Sequence, residues 1–153
     1  MSTKEQFGRY LEEFTIGEKI EHWPGRTITE ADDTLFCSLT MNQHPLHSDI
    51  SYAEKTEFAQ RVVSGPFVYS LVFGMTVDVI SGKAIANLGT SEMQHVGPVH
   101  HGDTIYARSE ILSVREATSR PNCGIVTVHT EGVNQNGTTI LTFIRALLIP
   151  KRP

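Results

Sequence analysis

Ser64-Gly65-Pro66-Phe67-Val68-Tyr69-Ser70-Leu71-Val72-Phe73-Gly74-Met75-Thr76-Val77-Asp78-Val79-Ile80-Ser81-Gly82 is the stretch on which the fold turns. Proline directly after Gly65 suits the first turn of a helix, where its missing N–H costs nothing. Phe67, Val68, Leu71, Val72, Met75, Val77, Val79 and Ile80 then leave that helix apolar nearly all round, up to an end at Ser81-Gly82. A helix with so little polar face must be buried.

The cover for it follows in the sequence. From Thr104 to Val114 apolar and β-branched residues alternate with polar ones, the period of a half-buried strand. A turn-rich break over Ser119–Gly124 leads to a second alternating run, Ile125–Val133, and Asn136-Gly137 is a hairpin signal before a third, Thr139–Ile149. Upstream, Lys19–Ile28 reads as a strand weakened by Pro24-Gly25, and Ala84–His95 as another, broken at Gly97-Pro98. Thr29-Glu30-Ala31-Asp32-Asp33 opens a short helix with a hydroxyl cap and first-turn acids, and Leu35, Phe36 and Leu39 share its apolar side. With one long apolar helix and mostly long antiparallel strands after it, the expected class is α+β, an antiparallel sheet wrapped around a long central helix.

At 153 residues the chain has the length of one domain, expected to span 1–153, and no internal repeat or linker divides it. A formal charge of -4 argues against nucleic acid as a partner, and no apolar run approaches the ~20 residues of a membrane helix. The polar start, Met1 to Gln6, lacks a leader's apolar region, so a cytoplasmic location is expected. Cys37 and Cys123 have no C-x-x-C spacing and read as buried, inert thiols.

Chemistry concentrates just before the helix. Asn42-Gln43-His44-Pro45-Leu46-His47-Ser48-Asp49 is followed by Tyr52-Ala53 and then by Val62-Val63-Ser64-Gly65-Pro66. An imidazole, His47, and a helix-opening N–H, that of Gly65, are what is needed to add water across a double bond activated by a carbonyl. His44, His47, Asp49, His95, His100 and His101 suggest no metal site: Pro45 breaks any helix between the first two histidines, and His100-His101 reads as an exposed turn.

This constellation resembles the MaoC-like, or R-specific enoyl-CoA hydratase, branch of the hot-dog fold, whose pattern is Asp-x-Asn-Pro-Ile/Leu-His, then Asp-x-x-x-Ala, a Phe, and Ile/Val-x-His-Gly. Asn42–His47 fills the first block, Asp49 and Ala53 the second, then Phe58 and Val62–Gly65; Pro98-Val99 and Gly102-Asp103-Thr104 match the family's later turn. The likeness covers about residues 14–149. Asn42 stands where the family has its catalytic aspartate, and Ser64 where a histidine precedes the glycine. An amide orients water and exchanges hydrogen bonds, but does not take up or release a proton at neutral pH.

The resemblance implies a hydro-lyase that adds water to, or removes it from, a short or branched 2-enoyl-CoA. His47 would be the acid/base, Asn42 would position water, and the Gly65 N–H would hold the thioester oxygen, a contribution of ~3 kcal/mol per donor. Val63, Ser64 and Pro66 would line the acyl site, and Arg61 would meet a second carboxylate if the acyl group were dicarboxylic. Arg26, Arg61, Arg108, Arg115, Arg120 and Lys151-Arg152 are candidates for contacts to CoA phosphates, or solvated surface charges. No cofactor beyond the CoA of the substrate is implied, and a homodimer or higher homo-oligomer is the family expectation, with exposed edge strands as its physical motive. Two readings stay open beside this one: a thioesterase on the same fold, which would want a carboxylate base, and a non-catalytic acyl-CoA-binding subunit marked by Asn42.

Overall fold

The computed structural model describes residues 3–153; Met1 and Ser2, which begin the polar start, lie outside them. The alternating runs form strands as expected: β3 (Thr104–Glu116), β4 (Cys123–Val133) and β5 (Thr139–Pro150) pair antiparallel in sequence order. β1 (Lys19–Thr27) joins the free side of β3, and β2 (Ala86–His95) that of β5. The result is one five-stranded sheet in the order β1-β3-β4-β5-β2. Register slips in β1 between His22 and Arg26, around Pro24-Gly25, because proline has no N–H for the ladder and survives only at edges and bulges.

Among the described residues four α-helices accompany the sheet: α1 (Glu30–Leu39), the single turns α2 (Pro45–Ser48) and α3 (Ile50–Ala53), and the central α4 (Gly65–Met75). The expected helix runs to Ile80, but α4 stops at Met75 and continues as a wider turn, Val77–Ser81. At the junction the Thr76 hydroxyl donates to the Phe73 carbonyl at 2.7 Å and accepts from the buried Arg145 guanidinium at 2.6 Å.

Burial along α4 also departs from the sequence reading. Ser64, Val68, Val72, Thr76 and Ile80 are buried, whereas Pro66, Ser70, Gly74 and Asp78 are exposed. The sheet therefore covers one side of the helix rather than nearly all of it, and small or polar residues occupy the outward stripe. Val68 and Val72 pack on Ile105, Ala107, Leu141 and Phe143, and Ile80 caps a second cluster with Leu11, Ile111, Val126 and Leu147. This is the hot-dog arrangement, α+β with an antiparallel sheet around a central helix. No described helix is long and apolar enough to cross a membrane.

α1 is capped as its sequence predicts: the Thr29 hydroxyl accepts from Asp32 N at 3.2 Å, and the Asp32 carboxylate accepts from Thr29 N at 2.9 Å. Its orientation is the opposite of the one hydrophobicity alone would choose. Leu35 and Leu39 are 61% and 75% exposed, while Asp33 and Cys37 face inward. Hydrogen bonds made by Asp33 account for that choice. Both cysteines are buried and unpaired.

Gly124, in β4, is required by a close approach. A Cβ there would strike the Leu11 side chain and stand 2.6 Å from the Arg115 carbonyl oxygen. Gly124→Ala is therefore expected to cost about 1–3 kcal/mol through overpacking, read as a lower denaturant midpoint at unchanged slope.

Candidate active site

The site is assembled by pairing two short segments. His44 caps α2, its Nδ1 accepting from Leu46 N at 3.1 Å, and Pro45 fills the first helical position. This turn presents His47. Val62 N–H then donates to the Leu46 carbonyl at 3.2 Å, and the Val62 carbonyl lies 2.7 Å from His47 Nδ1. A carbonyl only accepts, so Nδ1 carries the hydrogen; in the neutral ring Nε2 is left with a free lone pair. One residue beyond Val62, Val63 N–H is pinned to the Val99 carbonyl at 2.8 Å. The helix thus begins beside His47.

Gly65 opens α4, and the first N–H groups of a helix have no acceptor within it. They lie at the positive end of the helix dipole, suited to a developing negative charge. Gly65, His47 and His95 line one cavity of about 330 Å³ floored by Phe58, Val68 and Val99. Val63 also lines it. A second concavity of about 380 Å³ holds Asn42, Cys37 and Met41, and His47 borders both.

Asn42 reaches the helix through Ser64. Its Nδ2 donates to Ser64 Oγ at 3.2 Å, and its Oδ1 accepts from His44 N at 3.3 Å. One amide hydrogen and further acceptor capacity remain. Ser64 is wholly buried, so its hydroxyl holds Asn42 rather than facing the cavity. Pro66 is exposed outside the cavity lining. Arg61 pairs with Glu30 at 2.9 Å and borders a separate concavity with Ile50 and Glu54. That ion pair holds its guanidinium above its ordinary pKa and the Glu30 carboxyl below the usual range. Arg26, Arg108, Lys151 and Arg152 likewise pair with carboxylates.

Four side chains escaped the sequence reading. Asp33, 1% exposed, accepts from Ser64 N at 3.1 Å and from His101 Nε2 at 2.8 Å. His101 is thus no exposed turn residue: its side chain is 15% exposed and ties the β3 entry to α1. His100 is held too, its Nδ1 lying 3.1 Å from the Arg61 carbonyl. His95, read only as a poor metal ligand, stands against Gly65. A shared Asp–His spacing could not have revealed the Asp33–His101 pair, whose members are 68 residues apart. Among the described residues no cluster of three or more His, Cys, Asp or Glu is placed to hold a metal.

A family model described as mesaconyl-CoA hydratase matches residues 1–153. The chain is 35% identical over 149 residues to a mesaconyl-CoA hydratase of Cereibacter sphaeroides, covering 97% of this chain and 43% of that protein. It is 36% identical over 152 residues to a β-methylmalyl-CoA dehydratase of Chloroflexus aurantiacus, covering 99% and 43%. Among solved structures, the monoamine oxidase regulatory protein of Archaeoglobus fulgius superposes with a TM-score of 0.85 at 35% identity, covering 95% of this chain and 97% of that one. The chain thus spans less than half the length of the first two relatives. With the pattern from Asn42 to Gly65 set at the head of a sheet-wrapped helix and these matches running nearly end to end, the chain belongs to the mesaconyl-CoA hydratase family, within the MaoC-like hot-dog proteins.

Proposed function

We propose that this protein is a hydro-lyase that interconverts a 2-enoyl-CoA and its 3-hydroxyacyl-CoA, with a short, branched, dicarboxylic acyl group. The single observation that carries the reading is the His47 ring: Nδ1 is locked on the Val62 carbonyl, Nε2 has no hydrogen-bond partner among the described residues, and the residue lines the cavity that Gly65 shares. In hydration His47 Nε2 takes a proton from water as the oxygen bonds to the β carbon. The π electrons move toward the thioester oxygen, where the Gly65 N–H meets the growing charge. The acyl group is inferred from the names of the two relatives, since mesaconyl and β-methylmalyl groups are branched and carry a second carboxylate.

The reading includes no cofactor beyond the substrate's CoA, a cytoplasmic location, and a second copy of the chain along β2. Supporting that copy, β2 is an edge strand whose Leu88 and Met93 are 51% and 46% exposed.

The test follows enoyl absorbance and free thiol with mesaconyl-CoA and crotonyl-CoA as probes. Loss of absorbance without thiol release supports hydration. Thiol release favours the thioesterase, for which the cavity around Gly65 offers no carboxylate base among the described residues. Binding with neither signal favours an acyl-CoA-binding subunit, a reading backed by the structural bonds at both ends of the Asn42 amide. Asn42→Asp is expected to leave the hydration rate within about tenfold of the parent, or about 1.4 kcal/mol of barrier. Activity found only in Asn42→Asp would show that the parent is no hydratase.

A further inference from the structure

We propose that His95 is a second proton-handling group of this site, giving a proton to the α carbon while His47 takes one from water; the inference rests on the hydratase reading above. Hydration needs two proton transfers at adjacent carbons, and Asn42, at the position where an ionisable side chain would complete the pair, performs neither. Among the described residues one other titratable side chain lines the same cavity, and it is His95.

Its placement fits the α carbon. A Cβ built on Gly65 would stand 3.0 Å from His95 Cε1 and 3.1 Å from Nε2, so the ring lies directly against the glycine whose N–H would hold the thioester oxygen. The α carbon is bonded to the carbon bearing that oxygen. The other histidines of the site are engaged through ring nitrogens: His44 with Leu46 N, His47 with the Val62 carbonyl, His100 with the Arg61 carbonyl and His101 with Asp33. His95 has no such partner among the described residues, and the residue is exposed.

The backbone explains how a strand residue comes to face a helix end. The β2–β5 register slips between Ser91 and Gln94, and Glu92 within that slip has a φ of 49°. A bulge of this kind turns the following side chains. Pairing then resumes with Gln94 opposite Thr142 and continues with His95 opposite Leu141, and Val96 N–H donates to the Ile140 carbonyl at 3.0 Å, fixing the strand end.

The step balances. His47 Nε2 accepts a proton from water, the hydroxyl oxygen bonds to the β carbon, and the former double-bond electrons pass to the thioester oxygen. That charge collapses back as the α carbon takes a proton from the imidazolium of His95. His47 ends protonated and His95 neutral, and exchange with solvent restores both.

The test compares the parent with His95→Phe, which keeps a ring against Gly65, with His95→Gln and with His47→Gln. Substrates are mesaconyl-CoA, crotonyl-CoA and the 3-chloro analogue of the mesaconyl-CoA hydration product, whose chloride departs without protonation, so that only an α-proton acceptor is needed. Both His95 variants are expected to lose about 10²–10⁴ in kcat for hydration, the usual weight of a positioned acid or base, with KM within about threefold. Chloride elimination should survive in His47→Gln and disappear in His95→Gln. A His95→Phe kcat near the parent's, or chloride release that depends on His47 and not on His95, overturns the inference and leaves the hydratase reading standing. So does a His95 effect confined to KM for mesaconyl-CoA and absent with crotonyl-CoA, which would make the ring a reader of the second carboxylate. A parent that hydrates neither enoyl-CoA overturns both.

Discussion

His47→Gln is expected to lower the hydration rate by at least 10²–10⁴, the range for removal of a positioned general base, and His47→Asn by as much. The comparison with Asn is the informative one. An Asn amide can still donate one hydrogen bond toward the Val62 carbonyl, which in the parent accepts from Nδ1 at 2.7 Å. It has no counterpart of the free Nε2. A structural role for His47 would therefore be partly restored by Asn, and a proton-transfer role would not. Thermal midpoints and circular dichroism of the two variants should agree within a few degrees, because the backbone bond from Val62 N to the Leu46 carbonyl holds the same two segments together. Full activity in His47→Asn would remove the chemistry proposed for this site.

That experiment addresses the part of the molecule most legible in the sequence. Proline after Gly65, the apolar run behind it and the two-residue alternation from Thr104 onward are local signals; they mark the start of α4 and the strands, although α4 stops at Met75, short of the expected end at Ile80. The block from Asn42 to His47 was legible for the same reason: Pro45 and the His44 cap build one turn from adjacent residues. Burial was less so. Hydrophobicity made α4 look enclosed, but a spacing of four places Pro66, Ser70, Gly74 and Asp78 on an open stripe. In α1 the leucines face out because one carboxylate, Asp33, is anchored by partners on the α4 entry and the β3 entry. Arg61, close to Ser64 in sequence, turns instead to Glu30 on α1. His95 reaches Gly65 only through a bulge in an edge strand. Long-range polar pairing has no periodicity, and that is where the sequence was silent.

The Asp33–His101 pair gives the largest expected effect on stability. Removing His101 leaves a carboxylate that is 1% exposed with the Ser64 N–H and the weak Cys37 thiol donor, 3.6 Å away, as its partners. Orphaning one member of a buried pair costs about 3–5 kcal/mol, and the 15% exposure of the His101 side chain places His101→Ala near the lower end, about 3 kcal/mol. Asp33→Asn removes the charge but keeps an oxygen for Ser64 N–H, so about 1.5–3 kcal/mol is expected, the scale of a lost charge-assisted hydrogen bond. The double variant has no buried charge to strand. Its cost should therefore fall short of the sum of the singles by 1 kcal/mol or more, a coupling of the size seen for residues in contact. Denaturant midpoints of the four proteins measure it directly. Additive costs would mean that Asp33 is satisfied without His101. The same carboxylate fixes Ser64, whose hydroxyl fixes Asn42, so Asp33→Asn should also change the hydration rate less than Asp33→Ala does, since only the alanine leaves the Ser64 N–H without an acceptor.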